Sequence, residues 1–395
     1  MKNQTKNILF MGSLALLTMM YSCNPDDVAP EPEPIGNEPA ITLTCDYFDE
    51  NPNAILVDNP NAPVDYIVPE GCVMYISDDV TIQAGVTIEF QTKAGIRVGS
   101  DGSIKMIGTA NKMITLTGED KVPGSWIGIE ISSSDVKNEI AYTTIEYGGF
   151  GNISASNYPG NVMVTGISGR LDFHNNIVQH SSSWGLNVVD GSTATNIRNN
   201  TFSYNESPLR LYIENANELD TNNTYEGNTS NMVDIVGGEM GGITLKKIDV
   251  PYYFVNYNHS SFQNYGAFKI NPGVEIVMAE GMKIDIHSGS SFNAVGNAQE
   301  LIKIRGLEAV KGYWNRIDIL RESALTTFEY VDVRHGGSEE KGSINFNYIE
   351  GSVYIANSHF ESIKGCALSH AYSNPGGIDL GPNVTYTDCE DLVCH

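Results

Sequence analysis

The chain has 395 residues, of which 41% are hydrophobic and 9% aromatic, and it carries 23 basic against 48 acidic side chains. Its thirty-six aromatic residues exclude a disordered chain, which would lack the groups needed to build a core. The formal charge of −25 argues against nucleic acid as a partner, because phosphate binding needs clustered lysine and arginine, and it disfavours acidic polysaccharides unless Ca²⁺ bridges the two like-charged surfaces.

The N-terminus has the pattern of an export signal. Lys2 and Lys6 precede a nearly all-apolar stretch at residues 8–20, which is too short to span a bilayer. The stretch ends in Met-Tyr-Ser-Cys at residues 20–23. This tetrapeptide resembles the lipobox of bacterial lipoproteins, although Met20 stands where leucine is usual. The resemblance implies a signal peptide at residues 1–22 and acylation (palmitate-type) of Cys23; the alternative is a secretory signal with an incidental cysteine.

Residues 23–40 predict an extended tether. The segment is rich in proline and glutamate, which cannot pack a core and which hold a chain extended. Acidic residues directly after Cys23, at Asp26 and Asp27, resemble the surface-export signal of Bacteroidetes lipoproteins. These features predict a protein anchored to the outer membrane by lipid and exposed at the cell surface.

Five cysteines remain beyond Cys23, and an exported protein can use them in disulfides. Cys45 and Cys72 form the natural N-terminal pair. Two of Cys366, Cys389 and Cys394 can form a second pair, and the third stays free. A metal site built from these three thiols and His395 is an alternative, but their spacing matches no established zinc pattern, so we expect no metal and no cofactor.

The body, residues 41–395, contains a large duplication. A shift of 188 residues places residues 62–149 on 250–337 without a gap, and 20 of the 88 positions are identical. Most of the identical residues are glycines or apolar residues, which are typical of turns and cores; they include Gly85/Gly273, Ile88/Ile276, Trp126/Trp314 and Gly148/Gly336. The pattern predicts two sequence-related halves, at about residues 60–240 and 241–395.

A smaller repeat indicates the fold. Asn175, Asn199 and Asn222 recur at spacings of 24 and 23 residues, and each begins an asparagine-rich turn. Short segments with alternating apolar residues lie between the turns: Val162–Val164, Leu186–Val188, Leu209–Leu211 and Met232–Asp234. Alternation of this kind predicts strands with one buried face, and breakers about every ten residues leave no room for crossover helices. We therefore predict an all-β solenoid, a right-handed parallel β-helix, rather than a β-propeller, whose blades need hairpins.

Several segments carry a family resemblance. Ile82–Phe90 and Ile270–Ile276 are similar to the opening coils of right-handed parallel β-helix lipoproteins of the Bacteroidetes type, within the pectate-lyase-like superfamily, and Gly108–Thr109, Ile114–Gly118 and Gly124–Trp126 continue the likeness. The resemblance covers about residues 60–390 and implies the fold. It does not imply one function, because this fold hosts lyases, hydrolases, adhesins and phage tailspikes.

The second half contains the candidate catalytic residues, which fall on two consecutive predicted strands. If Ile317 and Ile319 point inward, their neighbours Arg316 and Asp318 point outward. By the same alternation Asp332 and Arg334 point outward, with His335 at the corner. The first half has other residues at these positions, so the set is not part of the repeat. The alternative is a ladder of surface charges.

Trp126 and Trp314 occupy matching repeat positions, which predicts core packing, whereas Trp184 is unpaired in the duplication and stays a candidate ligand contact. A polysaccharide lyase or glycoside hydrolase needs a converging set of acids or bases, and this sequence shows none beyond the residues above. We therefore expect a non-catalytic surface lipoprotein that binds a glycan or a surface protein on a polar β-face. A carbohydrate-active enzyme is the alternative.

Overall fold

The computed structural model describes residues 38–151, 159–255, 261–320, 326–347, 353–370 and 378–394. The predicted signal peptide, Cys23 and nearly all of the tether lie outside these residues. Within them the chain forms 39 strands, an α-helical turn at Tyr47–Glu50 and a 3₁₀ helix at Ile213–Glu218. The predicted all-β parallel solenoid is confirmed.

The described strands form five sheets, in which each strand pairs in parallel with one from the next coil. The thirteen-stranded sheet, called here the long sheet, contains Val73–Ile76, Gly95–Val98, Gly128–Ile131, Gly160–Val164, Trp184–Val188, Ser207–Leu211, Val233–Ile235, Tyr252–Phe254, Glu275–Met278, Ile302–Gly306, Val331–Arg334, His359–Glu361 and Thr385–Thr387. Because each coil supplies one strand to it, the solenoid has about thirteen turns.

Two further sheets complete the first half. The eight-stranded sheet contains Ile41–Thr42, Tyr66–Val68, Thr87–Phe90, Ile114–Gly118, Thr143–Glu146, Ile177–Gln179, Thr201–Ser203 and Thr224–Glu226. A six-stranded sheet contains Ile55–Leu56, Asp79–Ile82, Ser103–Ile107, Glu139–Ala141, Arg170–His174 and Thr193–Arg198.

Two six-stranded sheets complete the second half. The first, called here the Arg316 sheet, contains Ser261–Asn264, Lys283–Ile286, Arg316–Leu320, Ile344–Asn347, Leu368–His370 and Val393–Cys394. The other contains Thr244–Leu245, Ala267–Ile270, Ser291–Val295, Thr326–Glu329, Val353–Ala356 and Ile378–Leu380.

The core lies inside the coils and follows from the alternation in each strand. In Gly128–Ile131 the side chains of Ile129 and Ile131 are buried in one continuous apolar cluster that runs the length of the solenoid. Burial of such a side chain contributes about 1.5–3 kcal/mol. Trp126 and Trp314 are also inside, each at 0% exposure, so their predicted role in core packing is confirmed.

Asparagine side chains form hydrogen bonds with backbone groups where the coils turn. Asn175 and Asn199 adopt left-handed backbone with φ of 57° and 53°, a region that asparagine enters more readily than most residues. The residues that follow them, Asn176 and Asn200, are buried. The Oδ1 atom of Asn200 accepts a hydrogen bond from the backbone N–H of Asn176 at 2.9 Å, and Asn223 does the same for Asn200 at 3.0 Å. These asparagines are therefore structural, as the sequence predicted for the asparagine-rich corners.

Strands that are related by the duplication lie in different sheets in the two halves. A shift of 188 residues takes Val73–Ile76 of the long sheet onto Ser261–Asn264 of the Arg316 sheet. It takes Thr87–Phe90 of the eight-stranded sheet onto Glu275–Met278 of the long sheet. These two pairs of equivalent strands match in length but are displaced around the axis by one face. Among the described sheets, only the long sheet continues from one half into the other.

Disulfides join neighbouring coils near both ends of the described chain. Cys45 is bonded to Cys72, with Cα atoms 5.2 Å apart, and Cys366 is bonded to Cys394, with Cα atoms 5.8 Å apart. Cys389 forms no disulfide. The second bond removes two of the thiols that the alternative zinc site required, and no group of metal-ligating side chains assembles within the described residues.

Candidate functional site

The structure separates the five residues that the sequence singled out. Arg316 and Asp318 lie in the Arg316 sheet, whereas Asp332 and Arg334 lie in the long sheet and His335 follows at its corner. The two strands are not consecutive, contrary to the prediction from the sequence, because the strand Thr326–Glu329 of a third sheet lies between them. The five residues therefore form two groups rather than one cluster.

The Arg316 group is an internal ion pair. The Nε atom of Arg316 lies 2.8 Å from Oδ2 of Asp318, and the side-chain amide of Asn345 donates a hydrogen bond of 2.6 Å to Oδ1. Asp318 points away from the core, yet only 2% of its surface is exposed. Both carboxylate oxygens are therefore engaged, and this pair resembles a structural contact more than a catalytic one.

The second group forms a ladder of ion pairs on the outer face of the long sheet, called here the salt-bridge ladder. Arg334 contacts Asp332 at 2.8 Å on its own strand and Glu361 at 2.7 Å on the next strand. Arg305, on the preceding strand, contacts Glu275 at 2.7 Å. Each arginine thus has a carboxylate partner, as in the surface ladder that the sequence left open as the alternative.

His335 adjoins this ladder at a shallow depression of about 260 Å³ that Lys303, Arg305 and Asp332 also line. Burial lowers the pKa of His335, and the nearby cations Arg334 and Arg305 lower it further, so its ring is neutral at physiological pH. The residue has a φ of 65°, like Tyr147 at the equivalent position of the first half. Both residues follow equivalent strands of the duplication in left-handed backbone, although these strands lie in different sheets.

A more concentrated site lies on the same sheet in the first half, and it is called here the Trp184 cluster. It contains Trp184, Asn187, Arg210 and Asp234, which come from three successive strands. The indole Nε1 of Trp184 donates a hydrogen bond of 2.8 Å to Oδ2 of Asp234. The guanidinium of Arg210 lies 5.7 Å from the centre of the Trp184 ring and donates a hydrogen bond of 3.0 Å to Asn187.

Asn187, Arg210 and Asp234 belong to one outward-facing line of side chains, called here the outward row, and Trp184 lies beside it. The row has one residue in each of eleven successive strands of the long sheet, in consecutive register: Arg97, Glu130, Met163, Asn187, Arg210, Asp234, Tyr253, Val277, Arg305, Arg334 and Glu361. The middle of the row is sheltered from solvent, because Arg210 and Asp234 are only 2% and 5% exposed. Charged groups this well buried need partners, and the Trp184 cluster supplies them.

Burial dominates the electrostatics of the cluster. It raises the pKa of Asp234 to about 6, while the hydrogen bond from Trp184 and the charge of Arg210 oppose the rise. Asp234 therefore titrates near neutral pH, and perturbed carboxyl groups in sheltered positions are common at functional sites.

Farther along the outward row, Glu130 is 1% exposed. Its Oε1 atom accepts a hydrogen bond of 2.9 Å from the hydroxyl of Thr165, while Oε2 has no hydrogen-bond partner among the described residues. Arg97 is the nearest cation, with its Nε atom 3.9 Å from Oε1. A polar acceptor thus remains unsatisfied on this face.

The sequence identified only one member of the Trp184 cluster as a candidate. Trp184 stood out because the duplication gives it no counterpart, whereas Arg210 and Asp234 appeared only as residues of alternating strands. The three predicted strands Val162–Val164, Leu186–Val188 and Leu209–Leu211 lie within observed strands, and the fourth is observed at Val233–Ile235. Their register could not be derived from the alternation alone, so the convergence on one row could not be foreseen.

No family model, no curated protein and no solved structure matches this chain. In the described part of the chain, no helix is both long and apolar enough to cross a membrane.

Proposed function

We propose that this protein is a lipid-anchored cell-surface lipoprotein that binds a neutral glycan, without cleaving it, at the Trp184 cluster. The observation that carries the proposal is the position of Trp184, a half-buried indole held on the outer face of the long sheet by its contacts with Asp234 and Arg210. A fixed aromatic ring offers an apolar surface to the C–H face of a sugar, and a few polar groups around such a surface set the ligand's orientation.

Charge favours a neutral ligand. Arg210 and Asp234 carry opposite charges within one cluster, and the buried amide of Asn187 accepts a hydrogen bond from Arg210 there, so the cluster presents no net charge beside the Trp184 ring. From residue 23 onward the chain has 21 basic and 48 acidic residues, so its overall field repels a polyanion. These two features support binding through hydroxyl groups rather than through uronate carboxylates.

The row also argues against glycoside hydrolysis at this cluster. That reaction uses two carboxyl groups within about 10 Å of each other. The strands next to Asp234 carry Arg210 and Tyr253 in the outward row. The nearest other carboxylate in the row is Glu130, four strands away, which corresponds to about 19 Å at the strand spacing of a sheet. Glu275, on the same face two strands away, is paired with Arg305 at 2.7 Å. Binding therefore has better support here than two-carboxylate catalysis.

Tryptophan fluorescence tests the proposal directly. Trp126 and Trp314 are 0% exposed, so a ligand-induced change in emission reports on Trp184, the remaining tryptophan. The purified protein is titrated with soluble oligosaccharides of β-1,4-glucan, β-1,4-xylan, β-1,4-mannan and α-1,4-glucan. We expect at least one of them to shift the emission and to bind at least tenfold more weakly, by calorimetry, to Trp184→Phe.

Tyr265→Ala is the matched control, because Tyr265 is 57% exposed but follows a strand of the Arg316 sheet, on another face. This variant should bind like the wild type. The proposal is wrong if no oligosaccharide of the panel changes the emission, or if Trp184→Phe retains wild-type affinity.

A further inference from the structure

The two charged residues of the Trp184 cluster are too deeply buried to contact a ligand themselves. Arg210 and Asp234 are 2% and 5% exposed, whereas Trp184 is half-buried. The indole contacts both of them, because its Nε1 atom donates a hydrogen bond of 2.8 Å to Asp234 and its ring centre lies 5.7 Å from the guanidinium of Arg210. Any effect of these two charges on a bound molecule must therefore act through the position of the ring.

The groups that face Asp234 differ from strand to strand. In the outward row the preceding strand contributes Arg210 and the following strand contributes Tyr253. The strand that begins at Trp184 has no titratable side chain, and Asp234 is the one titratable residue of its own strand. Tyr212 adds a ring centred 5.9 Å from the guanidinium. Among the described residues of these strands, Arg210 is thus the charged group that compensates for the buried carboxylate.

Proton uptake by Asp234 changes the balance of charge in the cluster. The neutral carboxyl group is a weaker acceptor for the indole N–H than the carboxylate is. The guanidinium of Arg210 also loses the carboxylate that balances its charge, and loss of one partner of a buried ion pair is strongly destabilising. Hydration of Arg210 would restore compensation, but the Trp184 ring lies over the guanidinium. The cluster can therefore admit water at little structural cost if the indole moves.

We propose that Asp234 is a positioning residue that controls Trp184 through its charge: the carboxylate fixes the ring on the outer face of the long sheet, and proton uptake releases it. Burial raises the pKa of Asp234 to about 6, so the ring is fixed at neutral pH and released under mildly acidic conditions. The effect on ligand binding rests on the proposed function, whereas the movement of the ring is a property of the protein without a ligand.

Acrylamide quenching of tryptophan emission tests this switch without any ligand. Trp126 and Trp314 are 0% exposed, so a quenching constant that changes with pH reports on Trp184. We expect the constant to rise about threefold between about pH 7.5 and about pH 5, with a midpoint near the pKa of Asp234. Asp234→Asn, whose amide carries no charge, should give the high constant at both pH values. A wild-type constant that does not change with pH would overturn the inference.

Two further variants separate the effect of charge from an effect of packing. Arg210→Met/Asp234→Leu removes both charges and leaves no uncompensated group, so it should give the low constant at both pH values. Asp318→Asn is the matched control, because Asp318 is an equally buried, ion-paired carboxylate on the Arg316 sheet, and this variant should keep the wild-type pH dependence. Loss of the pH dependence in Asp318→Asn would assign it to general loosening and overturn the role of Asp234. Melting curves at both pH values identify variants that are unfolded.

The same change of pH should weaken the binding of oligosaccharides. Because only the fixed ring binds, an oligosaccharide bound at about pH 7.5 should bind at least tenfold more weakly at about pH 5, and Asp234→Asn should bind it weakly at both. Quenching that depends on pH, together with no oligosaccharide binding, would leave the switch standing and overturn the proposed function. Tight binding with quenching that does not depend on pH would overturn the switch alone.

Discussion

At the scale of single residues, the buried charges of the outward row set the chemistry of this face. Asp234 is 5% exposed and has Trp184 and Arg210 as partners, yet burial still raises its pKa to about 6. The partners thus compensate for only part of the desolvation of the carboxylate. The site combines an oriented aromatic ring with a carboxyl group whose charge changes close to neutral pH.

The raised pKa of Asp234 predicts how stability depends on pH. Between about pH 4 and pH 6 the unfolded chain loses this proton while the folded chain keeps it, so the group's contribution to stability is present at low pH and is lost as pH rises through 6. The free energy of unfolding of Asp234→Asn, relative to the wild type, should therefore increase from pH 4 to pH 7 by up to roughly 3 kcal/mol. Urea unfolding at several pH values measures this difference.

Asp388→Asn is the opposite-sign control. Hydrogen bonds from Lys311 and Ser362 lower the pKa of Asp388, so its contribution is present at neutral pH and is lost as pH falls through that lowered pKa. A relative stability of Asp234→Asn that stays flat across this range would contradict the assignment of a raised pKa to Asp234.

At the scale of strands and turns, the repeating corner supports the coil stack. Each corner needs a residue with left-handed backbone and, next to it, a buried side chain that satisfies backbone groups of the neighbouring coils. Asn199 and Asn200 meet the two needs separately, the first with a φ of 53° and the second with hydrogen bonds to Asn176 and to the carbonyl of Phe173. The adjacent asparagines in the sequence therefore have different physical roles.

The two roles predict different costs for the same substitution. Asn200→Ala leaves a buried N–H and a buried carbonyl without partners and should lower the free energy of unfolding by about 2–4 kcal/mol. Asn199→Ala only places an ordinary residue in left-handed backbone and should cost about 1–2 kcal/mol. Thermal or urea unfolding of both variants gives the comparison. Equal costs, or a larger cost for Asn199→Ala, would contradict the buried-ladder role of Asn200.

At the scale of the whole molecule, the solenoid is one continuous body whose long sheet presents a single extended face. The proposed lipid anchor at Cys23 and the proline- and glutamate-rich tether would hold this body away from a membrane, with its length available to a ligand.

The proposed anchor makes a direct prediction for localisation. Cys23→Ala should move the protein from the membrane fraction to the soluble fraction, because buried acyl chains supply the attachment. Fractionation followed by a carbonate wash measures this. Cys389→Ala is the matched control, since Cys389 forms no disulfide, and it should remain with the membrane. A Cys23→Ala protein that withstands the carbonate wash would contradict the lipobox assignment.

The sequence by itself determined the local features of this protein. Alternating residues such as Ile129 and Ile131 specify a strand with one buried face, and asparagine pairs at regular spacing specify the corners, because both depend on near neighbours in the chain. The inward positions of Ile317 and Ile319 could be derived in the same way, and their burial confirms it. A fold of parallel coils follows from such strands when no helices separate them.

Only the tertiary structure decided which coils place their residues side by side. Arg316 and Arg334 lie close in the sequence but on different faces, whereas Trp184 and Asp234 are 50 residues apart and in contact. The register between coils depends on the lengths of the connecting segments, and the segment between Ile235 and Tyr252 contains a single strand, Thr244–Leu245, before the chain returns to the long sheet. Because strand periodicity contains no information about the angle around the axis, the outward row and its sheltered cluster arise only when all the coils are stacked.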